Sequence, residues 1–300
     1  MNVDAERARR SLILLRRFGR LSTAQVAGLA LDGSDLTPAS RAVTARRVLQ
    51  DLRARRLVAP VPRAVGGPTG GSQGTVHRLT EAGSRYLGGL GGGAGADRRD
   101  RRERASCEHA LACADVALAF VRAARDNPGH AMGEWHPAFE AAELLGSTLV
   151  VPDGHFVYST QTMEVDALVE VDLATERPAW FARKVGAYVA LLRGGTWRAH
   201  LASWPLVLTI TPSAERASSL RRASERALLG ERDAQALLRT MRFQFAPLAD
   251  IVREGALGRI WQRAGGEGLE ELVPPPRDDV GACALDDAPT EATSDIGAGA

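Results

Sequence analysis

The 300-residue chain has no apolar run of eighteen residues, so no segment of it reads as a membrane span. Its first ten residues, Met1 to Arg10, are charged and lead into no apolar stretch of the kind a secretory signal carries, which makes a cytoplasmic location the expectation. Cysteine is scarce and odd in number. Cys107, Cys113 and Cys283 show neither CxxC nor Cys/His ligand spacing, which argues against a disulfide framework and against a zinc site and leaves buried or inert thiols as the expectation. Lysine is almost missing: of 38 basic residues all but Lys184 are arginine. A lysine kept in such a background points to a site that needs a compact ammonium, able to approach a metal-bound water as a guanidinium cannot. There is no Gly-rich phosphate loop, no Ser/His/Asp order and no aromatic cage, and Trp135, Trp180, Trp197, Trp204 and Trp261 are scattered and read as core.

What is present is a polarity of charge. The formal net charge of +2 hides fifteen arginines against six acids in residues 1–87, net +9, which leaves −7 for the remainder. A basic front half is the electrostatic footprint of a module that displaces counterions from phosphates. The order of elements supports that reading. Ala5, Ala8, Leu12, Leu15 and Phe18 recur at helical spacing, Ser22 caps a short second helix, and Thr37-Pro38 supplies cap and first-turn chemistry for a third helix through about Arg55. On that helix Val43, Val48, Leu49 and Leu52 are expected inside, with Arg41, Thr44, Arg46, Arg47 and Arg53 outside, where arginine can grip guanine or phosphate. A hairpin follows, with strands over Leu57–Arg63 and Thr75–Leu79 around a Gly/Pro turn at Ala64–Gly74; Arg63 and Arg78 would flank the DNA backbone. Helix, turn, helix and hairpin together predict a winged helix-turn-helix over residues 1–87 that binds double-stranded DNA.

Six glycines in Gly88 to Ala96 predict a linker, continued through 103 into the start of a helix. A second domain is expected over 104–264: a long helix over Arg104–Arg125, strands over His130–His136, Leu149–Ser159 and Met163–Asp172, a helix over Pro178–Leu192 and a strand over Trp204–Thr211. Helices over Ser213–Leu229 and Leu248–Val252 follow, with a short strand at Met241–Phe245. Beyond Gly265 the chain carries nine acids and one arginine among Pro, Gly and Ala, which predicts a disordered acidic tail over 265–300.

The chemistry-bearing residues cluster at strand ends. The second strand is entered through Val151-Pro152-Asp153 and the third closes on Val169-Glu170-Val171-Asp172, so the acids can meet at one sheet edge, and Glu170 and Asp172, two apart, are expected on the same face. Three converging carboxylates, Asp153, Glu170 and Asp172, would call for a hard cation, Mg²⁺ or Mn²⁺, with Lys184 leaning over it from the next helix as the fourth catalytic residue. His109 and Glu134 are weaker candidates for the same cluster, and His136 and His155 do not form a ligand pair by spacing.

In this order of elements, with Pro-Asp on one strand and Glu-x-Asp on the next, the chain resembles the PD-(D/E)xK nuclease superfamily. It resembles the replication-relaxation family over a longer stretch, about residues 8–263. The matching residues are Leu79-Thr80-Glu81-Ala82-Gly83, His109, Val151-Pro152-Asp153, Glu170-Val171-Asp172 with Ala174-Thr175-Glu176, Lys184 with Tyr188, Thr209 to Ser213 with Arg216, and Gly258 to Trp261. The resemblance implies an α+β protein, a winged helix followed by an α/β nuclease-like domain, with a DNA-binding role in plasmid or mobile-element replication control or transfer. One departure stands out, since Asp172 occupies the place where the nuclease pattern usually puts lysine. Either Lys184 carries the lysine role or the site has lost cleavage and binds only a cation or DNA. Two readings follow: a DNA-binding regulator whose second domain serves partner contact or a homodimer, and a metal-dependent endonuclease.

Overall fold

The computed structural model describes residues 3–61, 74–89, 107–147, 149–174 and 177–272. It opens with helix α1 (Val3–Phe18), strand β1 (Arg20–Ser22), helices α2 (Thr23–Ala30) and α3 (Pro38–Ala54), strands β2 (Val58–Pro60) and β3 (Val76–Leu79) and helix α4 (Glu81–Gly89). The starts of α2 and α3 are chemically fixed. The Ser22 hydroxyl accepts from the Gln25 amide while Gln25 Oε1 accepts from the Ser22 amide, and Thr37 accepts from the Ser40 amide ahead of Pro38. Along α3 the buried side chains are Ala45, Val48, Leu49 and Leu52. Val43, expected inside, is exposed: it precedes Val48 by five residues, which puts it about 140° round the helix, and Ala45 takes the inward place. The three strands pair antiparallel in the order β1-β3-β2. The three helices and the two later strands stand where the sequence reading expects them, and β1 is an addition. Arg63 and the turn over 64–73 lie outside the described residues, as does the predicted linker beyond Gly89.

The rest of the chain runs α5 (Cys107–Asp126), β4 (Ala131–Met132), β5 (His136–Pro137), α6 (Ala138–Leu144), β6 (Gly154–Ser159), β7 (Glu164–Val171), α7 (Pro178–Gly194), a 3-10 turn (Thr196–Ala199), β8 (Leu206–Thr211), α8 (Ala214–Leu229), α9 (Ala234–Thr240), β9 (Phe243–Pro247), α10 (Leu248–Glu254) and β10 (Gln262–Arg263). The strands form one mixed sheet in the order β10-β9-β8-β7-β6-β4, with β5 also paired to β6. β7 is antiparallel to β6 and parallel to β8, and β8 is parallel to β9. The expected first strand, His130–His136, divides into β4 and β5 because Trp135 turns onto Gly154, where a Cβ would fall 2.2 Å from the indole. Side chains alternate across β7: Ala167, Val169 and Val171 join one core cluster, and Leu168 joins another closed by α7, α8 and α9.

The first of these clusters is shared with the N-terminal elements α1 to α4. It runs from Leu12, Leu15 and Phe18 through α5 to Phe156, Val169, Ile251 and Trp261. α5 lies between the two units and is buried on nearly every side by Ala110, Ala114, Val116, Ala117 and Phe120, which accounts for its run of small apolar residues. Phe18 meets Trp135 with ring centroids 5.2 Å apart, and the Gln25 amide donates to Leu111 O and Asp115 Oδ1. Order also extends past the predicted start of the acidic tail. Glu270 pairs with Trp261 and Leu272 is buried, so residues 265–272 belong to the fold, and the remainder of the tail lies outside the described residues.

Candidate functional site

Two surfaces carry the chemistry. The first is α3. Its inward residues leave Arg46, Arg47 and Arg53 exposed, Arg47 nearly opposite the packed face and the other two on its flank. Arg47 reaches Asp4 of α1 at 3.2 Å, with both side chains more than half exposed, a pairing weak enough for a phosphate to displace. Arg41 is not part of this display. Its side chain is only 15% exposed and turns to Asp32 at 3.6 Å, closing the turn between α2 and α3, while Thr44 is half-buried. Arg78 is exposed on β3 and stands opposite Arg20 of β1, which brings a second arginine beside it. Arg20 escaped the sequence reading because β1 is only three residues long.

The second surface is a polar chain across the end of β7. Asp153, just ahead of β6, takes the Val171 amide on Oδ2 at 2.8 Å, and His109 Nε2 of α5 lies 3.2 Å from the same oxygen. Glu170, on the other side of the strand, is 2% exposed. The Tyr188 hydroxyl donates to its Oε1 at 2.6 Å, and Lys184 Nζ donates to its Oε2. α7 places Lys184 and Tyr188 four residues apart, so both lean on one carboxylate from one helix face. Burial pushes the Glu170 carboxyl up to about 7 against the pull of Lys184, with Asp153 adding to the rise. At Asp153 burial acts in the same upward direction but is outweighed by the His109 hydrogen bond and charge and by Lys184, so its carboxyl sits below the usual range. The hydrogen bond to Asp153 holds the His109 imidazolium and raises its pKa.

Lys184 is in contact with Glu170, and Asp153, bonded to His109 and to the Val171 amide, is near enough to act on the charge of both. Asp172 is not among them. The strand ends at Val171, and the chain turns so that Asp172 is held bidentately by Arg216, Nε to Oδ1 and Nη2 to Oδ2 at 2.8 Å each, while the Ala174 amide caps Oδ1 at 2.7 Å. Glu134 is also elsewhere, paired with Arg17 of α1 at 2.6 Å. The residues present do not fit the expected Mg²⁺ or Mn²⁺ site. Among the described residues no three His, Cys, Asp or Glu side chains lie close enough to hold a metal ion, and the ammonium of Lys184 already sits against Glu170, where a cation would bind. What the arrangement provides is a lysine held at the surface by a buried carboxylate, beside an Asp–His pair that balances its own charge.

One expectation about an aromatic residue also changes. Trp180, read as core, is 56% exposed, with the Arg183 guanidinium 4.6 Å from its ring centroid. His136 and His155 face each other across β5 and β6 with rings 5.6 Å apart, each also near its own carboxylate, Glu140 and Asp166.

Among the described residues no helix is long and apolar enough to cross a membrane. No curated protein matches the sequence. A solved structure of the restriction endonuclease FokI is similar at 10% identity and a TM-score of 0.26, too low to mean a shared fold. The match covers 83% of this chain and 43% of that one, so the chain spans less than half of the endonuclease. The sequence model described as replication-relaxation matches residues 12–207, and the chain therefore belongs to the replication-relaxation family and shares its connection to replication.

Proposed function

We propose that the protein binds double-stranded DNA through α3 and the strands beside it, in the replication control or transfer of a plasmid or mobile element. The observation that carries this reading is the display on α3. Arg46, Arg47 and Arg53 stand in solvent outside the packed inner face, with Arg20 and Arg78 side by side on the adjoining sheet. Arginines so placed neutralise phosphates or pair with guanine, and α3 has its N-terminus fixed by Thr37 and Pro38. The shared core makes the second unit a rigid mount for this surface. The test is binding of a fluorescently labelled duplex over a series of salt concentrations. The paired substitution Arg46→Ala and Arg47→Ala weakens binding and lowers the slope of log K against log salt by about 2; an unchanged slope overturns the assignment of α3.

A second reading, a metal-dependent endonuclease using Asp153, Glu170 and Lys184, is favoured by one observation, the contact of Lys184 with Glu170 beside a Val171 amide that Asp153 accepts. It loses Asp172 to Arg216. Supercoiled plasmid incubated with Mg²⁺ or Mn²⁺, beside Asp153→Ala and Lys184→Ala variants, decides it. Nicking that disappears in both variants supports the enzyme, and binding without nicking rejects it.

A further inference from the structure

The first turn of α7 shows a feature that duplex binding by α3 does not use. Trp180 is the most exposed of the five tryptophans: Trp135, Trp197 and Trp261 are buried and Trp204 is half-buried. An indole left in water on a folded surface keeps a broad, amphipathic ring face open to a partner. Its surroundings specify which. Arg183 lies against the ring, and Arg177, at the cap of α7, is exposed. Lys184 follows Trp180 by four residues on the same helix face, about 6 Å along the axis. Among the described residues, Glu170 is covered by Lys184 and Tyr188, Asp153 by His109, and Asp172 by Arg216, so these three carboxylates do not oppose an anion.

We infer that this face takes a single nucleic-acid strand, one base stacking on Trp180 and the adjoining phosphate resting on Arg183 and Lys184. Base–indole stacking is tolerant of sequence because every base has a π face, and a flanking guanidinium and ammonium supply the phosphate contact. The inference rests on the nucleic-acid reading above and extends it from a duplex held by α3 to an unpaired strand held by α7.

Fluorescein-labelled oligothymidylate binding to the full chain tests it by anisotropy. Trp180→Ala weakens that binding about tenfold, Trp180→Phe keeps most of it, and duplex affinity stays as in the wild type. Unlabelled oligothymidylate quenches the indole emission of the wild type, and the quenching disappears in Trp180→Ala. The variant retains its thermal midpoint, since the side chain removed is exposed. Unchanged oligothymidylate affinity in Trp180→Ala overturns the inference, and so does a loss confined to self-association in sedimentation, which would assign the face to a second copy of the chain. A parallel loss of duplex affinity overturns it too, by tracing the effect to α3. Failure of the Arg46→Ala, Arg47→Ala pair to weaken duplex binding strikes the α3 reading alone.

Discussion

At α3 the guanidinium groups of Arg46, Arg47 and Arg53 stand in water, and Asp4, which reaches Arg47, is itself exposed. At the end of β7 the situation is reversed: Glu170 is buried beneath Lys184 and Tyr188, Asp153 answers to His109, and Asp172 is locked by Arg216. The two regions spend charge differently. Exposed ionic contacts contribute little to folding and stay available to a partner, whereas groups taken out of water must be matched internally or they destabilise the fold. The first surface is thus built for exchange and the second for permanence, and Lys184, a third exposed along its side chain, is the point where the second reaches solvent.

The largest effect expected from this contrast is at Glu170. Glu170→Ala strands the Tyr188 hydroxyl inside the protein and leaves Lys184 without its anchor, at a cost of about 3 kcal/mol in urea unfolding, the low end for a broken buried pair because Lys184 remains partly hydrated. A loss below about 0.5 kcal/mol would erase the distinction between the two regions. Next comes Arg216→Ala, which removes both bonds to Asp172; with both side chains 13% exposed, about 2 kcal/mol is expected. The pH profile gives a more specific signal. Between the ordinary value of 4.5 and about 7, the unfolded chain releases the Glu170 proton while the folded chain keeps it, so stability falls as pH rises through that window, by at most about 1.4 kcal/mol per pH unit. His109 acts in the same direction, since a raised imidazole contributes fully below its ordinary 6.5 and less as pH climbs through its folded value. Asp153 acts in the other, its lowered carboxyl stabilising above the ordinary 3.8 and ceasing to do so as acid takes the pH through its folded value. Glu170→Gln should flatten the fall between 4.5 and 7 in denaturation series and leave the acid limb; a profile identical to wild type would remove Glu170 from this account.

How far each region could be read in advance follows the same division. α3 announces itself locally, because a cap, a proline and apolar residues three and four apart all act within one helix, and only the phase slipped, at Val43 and Arg41. Asp153, Glu170 and Lys184 were legible as acids at strand ends followed by the lone lysine. The chain's turn after Val171 was not, since what holds Asp172 is an arginine 44 residues further on. The His109 contact with Asp153 and the meeting of His136 with His155 depend on how α5 packs and on strand register, which spacing along the chain does not encode. Residue type alone points Trp180 to the core; helix phase puts it outside, beside Phe181, which is buried.

The smallest change in stability should come from the variant with the largest functional loss. Arg46→Ala with Arg47→Ala deletes two exposed side chains and a single solvent-facing contact to Asp4, so the urea midpoint should move by no more than about 0.5 kcal/mol, and alanine's better helix propensity works against even that. Removing two like charges from a crowded basic face also relieves repulsion at low salt, so any shift should shrink as salt is added. Lost duplex affinity with an unmoved midpoint would identify α3 as a surface kept for a partner. If instead the midpoint falls by about 2 kcal/mol or more, these guanidinium groups are structural, and the contrast between the helix and the end of β7 disappears.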